Sequence, residues 1–66
     1  MEFTLIIGEE KESKDWKNGM TIKDVLVEMD IPTETVVVKK DGRIVVEDEI
    51  INEGDMVEVI KVIYGG

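Results

Sequence analysis

Apolar residues recur at every second position near the start of the chain, where Phe3, Leu5 and Ile7 share one face of Glu2 to Ile7. That period predicts a strand. Gly8 ends it, and Glu9 to Ser13 is a charged connection that reads as a hairpin loop. Lys14 to Lys17 is then expected as a short second strand, with Trp16 as its one large apolar residue, either capping one end of the core or exposed as an interface anchor. Asn18-Gly19 is a turn signal. Beyond it the period changes. Ile22, Val25, Leu26 and Met29 stand at i, i+3, i+4 and i+7, which predicts a helix over Thr21 to Met29 with one apolar stripe. Thr21 is a suitable N-cap, and Asp24 three residues later serves as the acidic member of a capping box. Pro32 stops the helix and pushes Ile31 toward an extended conformation.

The second half is richer in strand formers. Glu34 to Lys40, with Val36, Val37 and Val38, predicts a strand. Asp41-Gly42 is a hairpin turn of the kind that needs positive φ, and Arg43 to Val46 returns as the next strand. Glu47 to Asp55 reads as an acidic loop, although Ile50 and Ile51 within it need apolar contacts. Gly54-Asp55 turns the chain again, and Met56 to Ile63 is the longest strand. One helix with a mixed or antiparallel sheet of four to five strands makes an α+β fold, expected here as a single domain over residues 1–66. The helical stripe is expected to cover a sheet face built from Phe3, Leu5, Val36, Val38, Ile44, Val46, Val57 and Val59. The last strand then carries more apolar residues than one face can take. Ile60, Val62 and Ile63 are the surplus, and an exposed apolar patch of this kind marks a partner surface near the C-terminus.

Composition narrows the chemistry. The 66 residues carry a hydrophobic fraction of 42%, enough for a small core and against disorder. Cysteine and histidine are absent, which removes disulfides, thiolate catalysis and the common zinc ligand sets. The acidic run Glu47-Asp48-Glu49, with Glu53 and Asp55, lacks the oxygen spacing and central glycine of a calcium loop, so no metal is expected. A formal net charge of −8 repels nucleic acid and anionic lipid. Two readings of that charge stand side by side: it keeps a small protein in solution, or it complements a protein with a basic face, onto which the acidic run could dock. No segment has the form of a signal peptide or membrane span, so the expected compartment is the cytoplasm.

The element order, with a long last strand running into Gly65-Gly66, resembles the β-grasp fold of ubiquitin-like proteins. The nearer likeness is to the prokaryotic sulfur-carrier branch: the thiamine-pathway carrier, the small subunit of molybdopterin synthase and the small archaeal modifiers. The stretches that carry it are Gly19 to Leu26, Val36 to Val38 with Asp41-Gly42, and above all Gly54 to Gly66. Lys61 to Tyr64 departs from the basic tail of ubiquitin itself, which favours the sulfur-carrier branch.

Glycine has no β-carbon, so a terminal Gly-Gly threads a channel that excludes bulkier residues. The resemblance implies that Gly66 is adenylated by an E1-like enzyme that uses ATP, the chain itself binding no cofactor. A sulfur donor then yields a thiocarboxylate for a sulfur-accepting enzyme in thiamine, molybdopterin or transfer-RNA thiolation. Gly65 and Tyr64 would lie in the partner's channel. The chain would then be a substrate of its partner rather than an enzyme. Two alternatives stand beside this: a modifier joined to protein lysines through Gly66, and a non-covalent β-grasp binding module.

Overall fold

The computed structural model describes residues 1–62 of the chain. Five strands and one helix follow in the order β1 (Glu2–Ile7), β2 (Glu10–Asp15), α1 (Ile22–Glu28), β3 (Val36–Lys40), β4 (Arg43–Val45) and β5 (Met56–Lys61). The sheet order is β2-β1-β5-β3-β4. β1 and β5 run parallel; β2 pairs antiparallel with β1 on one side, and the β3-β4 hairpin adds antiparallel to β5 on the other. This is a mixed β-grasp sheet with α1 across one face.

The helix starts as its sequence dictates. The Thr21 hydroxyl accepts from the Asp24 amide at 3.2 Å, and the Thr21 amide donates to Asp24 Oδ2 at 2.9 Å. Its end differs in cause from the expected proline stop. The Ile31 amide donates to Leu26 O and the Asp30 amide to Val27 O, a Schellman arrangement closed two residues before Pro32. Asp30 takes the left-handed φ of 60° usually given to glycine there.

Ile22, Val25 and Leu26 are buried against Phe3, Leu5, Val38, Val57 and Val59, and Val36 and Met29 pack at the margin. Trp16 also packs on this core, and its indole N–H donates to Ile51 O at 2.8 Å.

Four expectations are corrected. β2 occupies Glu10–Asp15, so the charged stretch is strand and not loop. The hairpin turns tightly at Gly8-Glu9, with Ile7 paired to Glu10. β2 is an edge strand, where charge guards against pairing with other chains and no apolar face is required. Thr33–Thr35 forms a single 3₁₀ turn before β3 instead of the strand's first residues. In β4 the inward residue is Val45, while Ile44 and Val46 are 71% and 70% exposed. Asp41 and Gly42, at φ 53° and 86°, make a tight turn that pairs Lys40 with Arg43 and sets this register; a slip of one residue inverts both faces. β5 ends at Lys61, although the Val62 amide still donates to Thr35 O at 3.1 Å.

The acidic segment 47–55 is tied down along its length. Ile22 and Lys23 amides donate to Glu49 O and Glu47 O, and the Ile51 amide to Met20 O. Lys40, on the inward face of β3, is the buried cation beneath it. Its Nζ donates to Ile50 O at 3.0 Å and meets Glu49 at 2.9 Å and Asp55 at 3.6 Å. The hydrogen bond to Glu49 holds the Lys40 ammonium above its ordinary pKa of 10.5; burial opposes this, and the charges of Glu49 and Asp55 add to the rise. A raised cationic pKa stabilises the fold below the unfolded value and loses that contribution as pH climbs through the folded one. Stability is therefore expected to decline above pH 10.5. Lys40→Met keeps the aliphatic stem but removes the donor to Ile50 O and the cation beside Glu49 and Asp55, at a cost of about 1–3 kcal/mol, toward the low end because Glu49 is partly hydrated and Asp55 still accepts the Asn52 amide. Denaturant titrations across the alkaline range should show the lysine-specific part of that decline missing from the variant.

Candidate functional site

The face of the sheet opposite the helix follows from strand alternation. Phe3, Leu5, Val38, Lys40, Val57 and Val59 point inward. Their neighbours Thr4, Ile6, Val37, Lys39, Met56, Glu58 and Ile60 therefore point outward. A solvated sheet face is ordinarily polar. Here Ile6, Val37 and Ile60 are half-buried among one another's strands, and Ile44, Val46 and Met56 are exposed. Val37 lies directly opposite Ile60. Val62, at the end of the same stripe, is 50% exposed. The surplus of apolar residues in the last strand thus becomes a continuous outer surface through Ile60 and Val62.

At the C-terminal end of β5 this surface meets a groove of about 640 Å³ lined by Ile7, Gly8, Ile31, Val36, Val59, Ile60 and Lys61. The groove forms where β1 ends, where β3 begins and where the chain leaves the helix. Its floor is the edge of the core, and Glu58 and Lys61 supply its polar rim. Ile63, Tyr64, Gly65 and Gly66 lie outside the described residues.

Ile60 and Val62 thus stand together on the outer side of β5. Ile6, Val37 and Ile44 complete their surface and were not foreseen as part of it. Their signal was present, since Ile6 and Val37 are the off-phase apolar members of strands whose alternate residues fill the core. Ile44 was hidden by the one-residue slip in register.

Chemically, the described outer face is an apolar surface through Ile6, Val37, Ile60 and Val62, rimmed by Glu58, Lys39 and Lys61. Among the described residues no group of three or more potential metal ligands is clustered. No described helix is long and apolar enough to cross a membrane.

Residues 4–66 match the ThiS family. The chain belongs to that family of ubiquitin-like sulfur carriers. The match begins within β1, takes in β2 to β5 and continues through Gly66. Two solved structures share the fold. Caldiarchaeum subterraneum ubiquitin superposes with a TM-score of 0.71 at 18% identity, covering 100% of this chain and 98% of its own. The thiamine biosynthesis protein ThiS of Geobacter metallireducens gives 0.65 at 19% identity, covering 96% of this chain and 99% of its own. At such identities the likeness concerns the backbone architecture: the same β-grasp sheet serves a chain called ubiquitin and a chain called ThiS.

Proposed function

We propose that Gly66 is the carrying atom site of this sulfur carrier. An E1-like partner adenylates the Gly66 carboxylate with ATP, releasing pyrophosphate. A sulfur nucleophile held by a partner enzyme then attacks the acyl carbon and AMP leaves. Where that nucleophile is a persulfide, a second thiol of the partner breaks its S–S bond, becoming a disulfide on the partner and leaving the sulfur on Gly66 as a thiocarboxylate, ready for an acceptor enzyme in thiamine, molybdopterin or transfer-RNA thiolation. The single observation that carries this reading is the family match, which runs through to Gly66. The absence of cysteine agrees with it, since the sulfur rides on a carbonyl carbon and the chain needs no thiol of its own.

The division of labour is physical. A carboxylate is a poor electrophile, and an acyl-adenylate is a good one because AMP is a stable leaving group. The carrier needs no general base of its own, because its partner holds ATP and orients the attack. Docking through Ile60, Val62 and Ile63 would hold the domain while Tyr64 and Gly65 lead Gly66 into the partner's channel. We assign the process to the cytoplasm, where ATP is available.

Incubation with the cognate adenylating enzyme, ATP and a sulfur source should replace one oxygen of the protein by sulfur. Intact-mass spectrometry reads this directly, and digestion should localise the change to the peptide ending in Gly66. An unchanged mass under conditions where the partner consumes ATP with this carrier would overturn the assignment.

A further inference from the structure

The outer sheet face carries a charge pattern that the carrier reading does not use. One row across the four strands β1, β5, β3 and β4 reads Ile6, Glu58, Lys39, Ile44, each directly opposite the next in register. The row is apolar, acidic, basic, apolar. Among the described residues the ion pairs within 4.0 Å are those of Lys40, so neither Glu58 nor Lys39 is engaged in one. The adjacent row toward the end of β5 holds Ile60 opposite Val37.

Such a row is complementary to itself. Consider a two-fold axis in the plane of contact, parallel to the strands and midway between β5 and β3. It lays Glu58 of one copy over Lys39 of the other, and Lys39 over Glu58. It lays Ile6 over Ile44 and Ile60 over Val37, again twice each. A two-fold contact repeats every favourable pair, which is why such interfaces are self-complementary. Packed sheets lie about 10 Å apart, within reach of opposed Glu and Lys side chains.

We infer that a second copy of this chain docks face to face on the outer sheet surface, through Ile6, Val37, Ile44 and Ile60 with crossed Glu58–Lys39 pairs. The contact rests on Ile6, Val37, Ile44, Ile60, Glu58 and Lys39 of each copy, far fewer than the roughly 20–30 residues a side of a stable complex. The association is therefore weak and appears only at high protein concentration. Because it uses the surface that leads to the C-terminus, a copy and a docked enzyme exclude one another.

Charge reversal tests the geometry. E58K places two lysines against two Lys39 residues, and K39E places two glutamates against two Glu58 residues. Each single variant is expected to weaken self-association about tenfold, because like charges are opposed at both symmetric positions. The double reversal should restore it. Net charge separates this from general repulsion: E58K adds two positive charges, taking −8 to −6, and so should associate better if only overall charge mattered. Sedimentation equilibrium from micromolar to millimolar protein supplies the constants. Dilution of labelled wild-type protein, followed by NMR, should shift Ile6, Val37, Lys39, Ile44, Glu58 and Ile60 and leave the α1 face unmoved, a readout that needs no variant to fold. A wild-type protein monomeric at millimolar concentration overturns the inference. So does association that ignores the single reversals, is not restored by the double one, or maps to another face. The carrier chemistry is read separately, by mass, on dilute monomer.

Discussion

Deleting Gly66, or adding one residue beyond it, should abolish thiocarboxylate formation while leaving the unfolding temperature unchanged. Adenylation acts on the carboxylate of the last residue. One extra residue moves that group by about 3.5 Å along an extended chain. A misplacement of about 1 Å already costs on the order of a hundredfold in a positioned reaction. Deletion retracts the carboxylate by the same amount and puts Gly65 in its place. Neither change reaches the core, whose buried members end at Val59 in the last strand. Stability should therefore stay within about 0.5 kcal/mol of the parent, as for surface changes remote from packing. Intact-mass spectrometry after reaction, paired with a thermal melt, measures both halves. An extended chain that still acquires sulfur at full rate would remove Gly66 from its assigned role.

Ile51→Ala should be the most destabilising single truncation outside the regular elements. Ile51 belongs to the irregular acidic segment 47–55, yet its exposure is 0%. Its amide donates to Met20 O at 2.8 Å, and its carbonyl accepts the Trp16 indole N–H at 2.8 Å. The backbone at Ile51 is thus held from both sides and has little freedom to move inward and let the site collapse. Removing three carbons from such a site costs about 2–5 kcal/mol. A domain of this size has little more than about 3–5 kcal/mol to lose. Each kilocalorie lowers the melting temperature of a small domain by about 4–8 °C. The variant should accordingly be largely unfolded near the parent's working temperature. Ile51→Val should cost only about 0.5–1.5 kcal/mol. Denaturant melts should show the midpoint falling with an unchanged slope. Equal effects from the two substitutions would mean that packing at Ile51 is not the cause.

Most of the architecture was legible before the fold was seen. The 2-residue period of Phe3, Leu5 and Ile7 and the helical spacing of Ile22, Val25, Leu26 and Met29 predicted their elements because one face of each is buried. The capping box was legible because Thr21 and Asp24 act locally. The second strand, expected over Lys14 to Lys17, lies mostly earlier in the chain for the converse reason. Its residues Glu10 to Asp15 bury nothing, so no period marks them, and only pairing with β1 makes them a strand. Ile44 and Val45 are equally apolar in sequence. The turn at Asp41-Gly42 and the pairing of Val38 with Val45 decide which of them faces the core.

The candidate site divides along the same line. The excess of apolar residues in β5 announced an exposed patch, since a strand has two faces and the core takes one. That Ile6, Val37 and Ile44 join Ile60 on it depends on a strand order, β1-β5-β3-β4, that brings distant segments side by side. The opposed pair Glu58 and Lys39 and the buried cation Lys40 are products of the same register, 19 and 15 residues from their partners Glu58 and Asp55 in the chain. Local periodicity and turn chemistry are encoded over a few neighbouring residues, so a linear reading recovers them. Register, burial of a charge and the make-up of an open face arise from non-local pairing, and those became visible only in the folded chain.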